Sequence, residues 1–564
     1  MRTRRLSDGS LSWFAPAALD RQVPTGPDAD EVSVQVHGEV HNLAALCNQL
    51  ALAAGTPLAC MLAAGWRRWS TDLFWRMDGV FAIAVHDSHG LVLYRDPSGL
   101  CGLYWHEGAD GQVSYATRID TLLGLPGVGR RIDRRSLHEY LRFLDIAAPH
   151  TLHEGLHTVE AGQWVRFGAG SADRGCGSAP AQPVDADLSY DGALATLETH
   201  LRQAVDARLV GAASPASFLS GGVDSSLLCA IATRGRKDTT ALTVSFDGDA
   251  FDEAPIAQRV ASHLGLSHQV LRFGRAQYLG ALERLGRGMD QPSADPATPA
   301  TLLAMEHCRN RFDMVLDGTG ADEAVGAMPP RHIRLAVGFA DALPSGVRRA
   351  LTRLSSGLPA LSGITPMLDF EHPADTMIRW RGFTRAEIEA LCAEPVSFAD
   401  THFYRTFARF PRCAHFERFS ALLGAMPSDR LTQSALISGM LVRYPFCDRN
   451  TIGFLRQLRT EWRDQPGEPK RILRSLLARY VPRPIWDLPK HGFNFPLQAF
   501  LAGESHALVR RYLDAGRWRQ SGLLRADRVA GYARRFMAGD HQLMFRVWAL
   551  IVLGAWLEQH DHLD

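Results

Sequence analysis

The sequence predicts an α+β sandwich domain followed by an α/β parallel-sheet domain with a helical C-terminal part. Three observations predict it. At 564 residues the chain exceeds one ordinary hydrophobic core, so two or three domains are expected. Residues 1–167 carry short alternating apolar runs broken by turn residues, with few helical stretches, the pattern of layered α+β structure. After residue 188, strand-like apolar runs alternate with helix-length segments, the pattern of a parallel sheet covered by helices on both faces.

Each element follows from its local pattern. Residues 32–36, 80–86, 90–94 and 163–167 read as strands, and 43–53 and 135–143 read as helices. Residues 168–187 are rich in Gly, Ala, Ser, Pro and Asp and read as a linker, which places the domains at 1–167 and 188–564. A helix at 190–207 opens the second domain. Strands at 216–219, 241–246 and 314–317 then alternate with helices at 227–234, 253–264 and 298–309. From about residue 327 the chain reads as mostly helical.

Composition excludes several function classes. Hydrophobic residues are 46% and charged residues 21%, which fits a soluble globular chain. A formal net charge of +1 gives no bulk electrostatic case for a nucleic-acid partner. The basic start is followed by no apolar run, so no secretory signal is expected. The strongly apolar stretch at 548–557 is too short to span a bilayer, so no membrane partner is expected. Nine scattered cysteines with no Cys-x-x-Cys pair suggest a reduced, cytoplasmic setting. Cys229 and Cys447 lie in apolar contexts and read as packing residues. So do Trp66, Trp69 and Trp75. The histidines show no spaced metal cluster, and His86, His106 and His153 read as strand or loop residues.

The stretch Ser220-Gly221-Gly222-Val223-Asp224-Ser225-Ser226 is the chemical signal. An apolar run enters it and a helix-like run leaves it. Two glycines let backbone approach a ligand closely, and the hydroxyls and N–H groups of a helix start then hold an anion. It lacks the Gly-Lys-Ser/Thr ending of the Walker loop. It has instead the pattern of loops that hold pyrophosphate in enzymes cleaving ATP to AMP, so adenylation of a carboxylate is the expected chemistry. A second candidate stretch, Asp317-Gly318-Thr319-Gly320-Ala321-Asp322-Glu323, lies at the carboxyl end of another predicted strand, where open α/β sheets bind ligands.

These stretches and others in order resemble the asparagine synthetase class B superfamily across nearly the whole chain. In the first domain the marks are His37-Gly38-Glu39-Val40-His41-Asn42, Met77-Asp78-Gly79-Val80-Phe81-Ala82 and Arg95-Asp96-Pro97-Ser98-Gly99-Leu100. In the second they are the glycine loop, Phe251-Asp252-Glu253-Ala254, Ala294-Asp295-Pro296 and the Asp317–Glu323 stretch. Arg443-Tyr444-Pro445-Phe446-Cys447-Asp448, Lys470-Arg471-Ile472-Leu473-Arg474 and Pro489-Lys490-His491-Gly492-Phe493 complete the set. The resemblance implies an N-terminal nucleophile-hydrolase-like sandwich and an ATP-pyrophosphatase domain. It implies that Ser220, Gly221, Gly222, Ser225 and Ser226 cradle the pyrophosphate of ATP. It further implies that Asp224 and Asp322 bind Mg²⁺, that Leu219, Val244 and Gly318 offer backbone contacts to adenine, and that Lys490 is the catalytic lysine. His491, Tyr444 and Glu323 are lesser candidates for proton handling.

The departures from the family pattern narrow the expectation. Glutamine-dependent members use an N-terminal cysteine exposed by loss of Met; here position 2 is Arg2, and no cysteine precedes Cys47. The turn asparagine of the glutaminase domain is His37. The first domain is therefore expected to be a glutaminase-like scaffold. Where asparagine synthetases carry Glu and β-lactam synthetases a Tyr, this chain has Thr319, and the partner glutamate position is Leu441. Thr319 can orient a substrate but is no general base near neutrality. A peptide α-amine, at about 7.7–8.0, needs less help to lose a proton than a lysine amine at about 10.4. The resemblance then implies a macrolactam-forming lasso-peptide cyclase acting on a core peptide, with a companion leader peptidase and a leader-binding protein as partners. An ammonia-dependent asparagine synthetase, a β-lactam-synthetase-like cyclase and a non-catalytic scaffold are the rival expectations.

Overall fold

The computed structural model describes residues 32–168, 171–177, 187–246, 252–325, 331–357, 364–370, 382–401, 429–463, 467–488 and 495–560, with a few isolated positions and two-residue strands before residue 23. In the first domain five antiparallel strands lie in the order Ser171–Cys176, Gln163–Gly168, Gly90–Arg95, Gly79–Asp87, Ser33–Val40. Alternation decides which face each residue serves. Phe81, Ile83 and Val85 pack with Leu46, Met61, Leu62 and Trp66 of the helices Leu43–Leu50 and Leu58–Trp69. Ala82, Ala84, Leu91 and Leu93 face the other way, onto Leu103, Trp105, Val113 and Tyr115. The last three belong to a second sheet ordered Arg21–Gln22, Val113–Ala116, Tyr104–Glu107, Leu156–Thr158. The domain is thus a sandwich with helices on one outer face.

The expected linker begins too early. Ser171–Cys176 pairs along its whole length with Gln163–Gly168 as the edge strand of the first sheet. Its sequence, Ser-Ala-Asp-Arg-Gly-Cys, has no apolar alternation because an edge strand can remain exposed while its backbone is paired.

In the second domain five parallel strands lie in the order Ser267–Arg272, Thr240–Ser245, Pro215–Phe218, Met314–Leu316, Val442–Arg443. One face carries Leu219, Ala241, Met314 and Leu316 against the helices Tyr190–Leu209, Val223–Gly235 and Arg471–Leu477. The other carries Ala216, Leu242 and Val315 against Met305, Cys308 and Leu431. Two of these strands, Ser267–Arg272 and Val442–Arg443, were not expected from sequence, the latter inside a region read as helical. Cys229 is fully buried and donates to Ser217 Oγ, as a packing residue does. The apolar stretch near residue 550 lies in the helix Met544–Gln559, buried all round against Leu501, Val509 and Leu285. No helix among the described residues is long and apolar enough to cross a membrane.

Candidate functional site

Four chain segments meet at the carboxyl edge of the parallel sheet. The first is the glycine loop, which leaves the strand Pro215–Phe218 and enters the helix Val223–Gly235. Gly221 takes φ +75°, and a Cβ there would stand 2.9 Å from Ile256 Cγ2, so this position is restricted to glycine by conformation and by space. The loop is braced from within. Ser220 N–H donates to Ser225 Oγ at 3.1 Å, the two hydroxyls lie 3.0 Å apart, and Gly222 N–H donates to Ser220 Oγ at 3.3 Å. Ser226 is buried beneath them. The first turn of the 13-residue helix thereby presents its N–H groups on a preformed support.

The second segment is Asp317–Glu323. Gly318 packs on the start of that helix, its ideal Cβ position being 3.4 Å from Asp224 Cβ. Asp317 Oδ1 accepts from both Thr319 N–H at 2.8 Å and Thr319 Oγ at 2.6 Å. The Thr319 hydroxyl therefore braces its own turn. Glu323 Oε2 accepts from Gly320 N–H at 2.9 Å, and burial raises its carboxyl above the usual range. Tyr444 is buried; desolvation, then the charge of Asp317, holds its phenol well above its ordinary value, so it is no base near neutrality.

The third segment supplies the residue whose role the sequence did not disclose. Lys470 Nζ lies 2.5 Å from Asp224 Oδ2 and 2.6 Å from Asp322 Oδ1. Burial opposes its charge, but the two carboxylates outweigh burial and hold the ammonium above the ordinary lysine range. Lys470 adopts left-handed backbone, φ +56°, ahead of the helix Arg471–Leu477. A non-glycine residue held there costs of order 1–3 kcal/mol and persists where its surroundings demand it. The only sequence signal was that Lys470 opens one of the ordered motifs. Asp224 and Asp322 do converge, on a shared cation. Oxygens that close to one charge are hard donors placed to share a cation, so the pair fits Mg²⁺.

The fourth segment, 443–449, passes beneath Asp317–Glu323. Cys447 Sγ packs under Gly320, where a Cβ would stand 2.7 Å away. Of the expected adenine contacts, Leu219 N–H donates to Leu242 O at 2.8 Å and Leu219 O accepts from Thr243 Oγ at 2.5 Å, while Val244 sits within the strand Thr240–Ser245, opposite Leu271. Lys490 and His491 lie outside the described residues.

A cavity of about 420 Å³ lies between the two domains, with His37, Gly38 and Cys101 on one side and Gln433, Met440 and Tyr444 on the other. None of the glycine-loop residues lines it. Burial lowers the His37 imidazole below its ordinary value. Burial, with the Asp96 charge, drives the Cys101 thiol far above its own.

Residues 196–558 match the family described as asparagine synthase, and residues 20–175 match the glutamine amidotransferase domain. A Mycobacterium tuberculosis protein named "Putative asparagine synthetase (glutamine-hydrolyzing)" is 26% identical, covering 97% of this chain and 86% of the relative. Asparagine synthetase (glutamine-hydrolyzing) 1 of Bacillus subtilis is 22% identical over 88% of this chain and 80% of its own. Asparagine synthetase (glutamine-hydrolyzing) 3 of the same organism is 21% identical over 74% and 67%.

Proposed function

The chain belongs to the asparagine synthase family, and from that premise we propose that it is an ATP-dependent cyclase that closes a macrolactam in a core peptide. An Asp or Glu side-chain carboxylate of the peptide forms a bond to the α-phosphorus of ATP, and the bond from that phosphorus to the bridging oxygen breaks, releasing pyrophosphate. The peptide's N-terminal amine then attacks the acyl carbon. The carbon–oxygen bond to AMP breaks, and the nitrogen gives up its proton to solvent.

One observation carries the cyclase reading: the position where the family places an ionisable proton acceptor is Thr319, and its hydroxyl is committed to Asp317. Its partner position, Leu441, is half-buried and packs against the apolar core of the second domain. An amine that is partly neutral near pH 8 suits a site built this way. The first domain supports the same reading. A thiol kept protonated by burial is poor material for attack on glutamine, so we read this domain as carrying no glutaminase activity.

The residues divide the work. The N–H groups and hydroxyls of Ser220–Ser226 bind the departing pyrophosphate. Asp224 and Asp322 would hold Mg²⁺, which supplies charge neutralisation to the phosphates when bound. Lys470 keeps those carboxylates together beforehand. Lys490 is proposed as the fixed ammonium at the α-phosphate and acyl oxygen. A cytoplasmic setting, a leader peptidase and a leader-binding protein complete the proposal. The test is mass spectrometry of purified enzyme with Mg-ATP and a leaderless core peptide, with free aspartate plus ammonium in parallel. Loss of one water from the peptide with stoichiometric AMP is the expected result. Asparagine formed beside an unchanged peptide overturns it, as does a pH–rate profile requiring a group near the lysine value.

A further inference from the structure

We propose that the first domain acts as a clamp on the ATP site, with Glu39 and Asp78 as positioning residues that fix the segment 443–449 under the loop Asp317–Glu323. Glu39 lies on the strand Ser33–Val40 of the first domain. Its carboxylate makes a two-pronged pair with Arg443, Nε to Oε2 at 2.9 Å and Nη2 to Oε1 at 2.9 Å. The Arg443 side chain is 7% exposed and that of Glu39 18%, so the planar fork is fixed and shielded. Arg443 is also a residue of the edge strand of the parallel sheet, and its carbonyl accepts from Asp317 N–H at 3.1 Å. Asp317 in turn braces Thr319. The path from Glu39 to the loop thus runs through one arginine, one hydrogen bond between neighbouring strands and one braced turn.

The other end of the segment is held by Asp78, again from the first domain. Asp78 Oδ1 accepts from Arg449 N–H at 3.1 Å, and Asp78 Oδ2 pairs with Arg208 Nη2 at 3.2 Å. Arg208 also pairs with Asp448 at 3.4 Å, and Asp448 caps the helix Arg449–Gln457 through Asn450 and Thr451 N–H. Between the two ties, Cys447 presses on Gly320, whose φ of +99° and missing Cβ leave space for it. A segment held at both ends and in contact with the loop at its centre transmits the first domain's position to Asp322, two residues beyond Gly320. The clamp uses the residues that resemble a glutaminase turn for a purpose that needs no glutamine.

The test reads Mg-ATP binding by the full chain with no acceptor present, so it is independent of the cyclase reading. Glu39→Gln is expected to weaken Mg-ATP binding about tenfold in calorimetric titration while thermal unfolding stays cooperative. Glu39→Asp, which keeps the charge on a shorter arm, is expected to recover part of the loss. Cys447→Ala is expected to weaken binding by itself, and the pair with Glu39→Gln to lose less than the product of the two single effects, because both act on one loop through one segment. Unchanged affinity in Glu39→Gln, or effects of the two substitutions that multiply, overturns the proposal. Should Glu39→Gln fail to fold, Glu39→Asp with full wild-type affinity overturns it equally.

Discussion

Replacing Lys470 by methionine keeps the length of the side chain and removes the charge, leaving Asp224 and Asp322 facing the same point without a cation. Taking away one partner of a buried ion pair costs about 3–5 kcal/mol. The Asp322 side chain is 50% exposed, against 16% for Lys470 and 14% for Asp224, so water screens part of the repulsion and about 2–3 kcal/mol is the expected loss. That is a fall of several degrees in the unfolding midpoint. The two carboxylates then form an uncompensated site for a divalent cation. Mg²⁺ at about a hundred times its dissociation constant would restore about 2.7 kcal/mol. In the wild-type chain the same Mg²⁺ must first displace an ammonium, so its stabilising effect is smaller. The assay is scanning calorimetry of both proteins in EDTA and across a Mg²⁺ series, without nucleotide. A methionine variant as stable as wild type in EDTA refutes the reasoning, as does a Mg²⁺ response of equal size in the two proteins.

The other predictions concern the loop, the missing charge and pH. Gly221→Ala is expected to destabilise the loop by about 1–3 kcal/mol and to weaken Mg-ATP binding at least tenfold by titration, because φ is +75° and Ile256 blocks the Cβ; Gly222→Ala, at φ −75°, is expected to lose much less. Lys490→Ala is expected to abolish AMP release and amide formation with an unfolding midpoint within a degree or two of wild type, and full turnover would remove Lys490 from the mechanism. Burial, then the charge of Arg134, brings the His138 imidazole down to about 4. A depressed histidine stabilises fully above its unfolded value of about 6.5, and that stability is lost as pH falls toward 4. About 2 kcal/mol is expected to disappear between pH 6.5 and 5, and His138→Gln is expected to flatten that slope in denaturant titrations.

Elements whose two faces differ strongly were legible in the sequence. The strand Gly79–Asp87 puts alternate residues into two different apolar layers, and the helix Ala254–Leu264 buries one side through Ala254, Ala257, Val260 and Ala261. Elements that depend on pairing alone were not. Val442–Arg443 is two residues long and is a strand only because Met314–Leu316 lies beside it. Ser267–Arg272 is polar on the exposed side and has one buried residue. Ser171–Cys176 has the composition of a linker and the hydrogen bonding of a sheet edge. The glycine loop could be read because its brace is local, Ser220 to Ser225 within one turn.

Lys470 shows why a site is harder to read than a loop. Its closest carboxylate is 246 residues away in sequence, and nothing in the run Pro469-Lys470-Arg471 distinguishes it from a solvated helix start. The left-handed backbone and the two converging acids become visible only when the strands Pro215–Phe218 and Met314–Leu316 are side by side. The same holds across the domain boundary. Glu39 and Arg443 are each part of a recognisable motif, yet neither motif contains its reason for being charged. Each supplies the other's counter-ion. The chain holds this pair whether or not its first domain acts on glutamine. It could not lose Glu39 without leaving Arg443 buried and unpaired beside the ATP-site strand, at a cost of several kcal/mol. Retention of the whole first domain then follows from the second domain's need for that counter-ion, whatever the first domain does with glutamine.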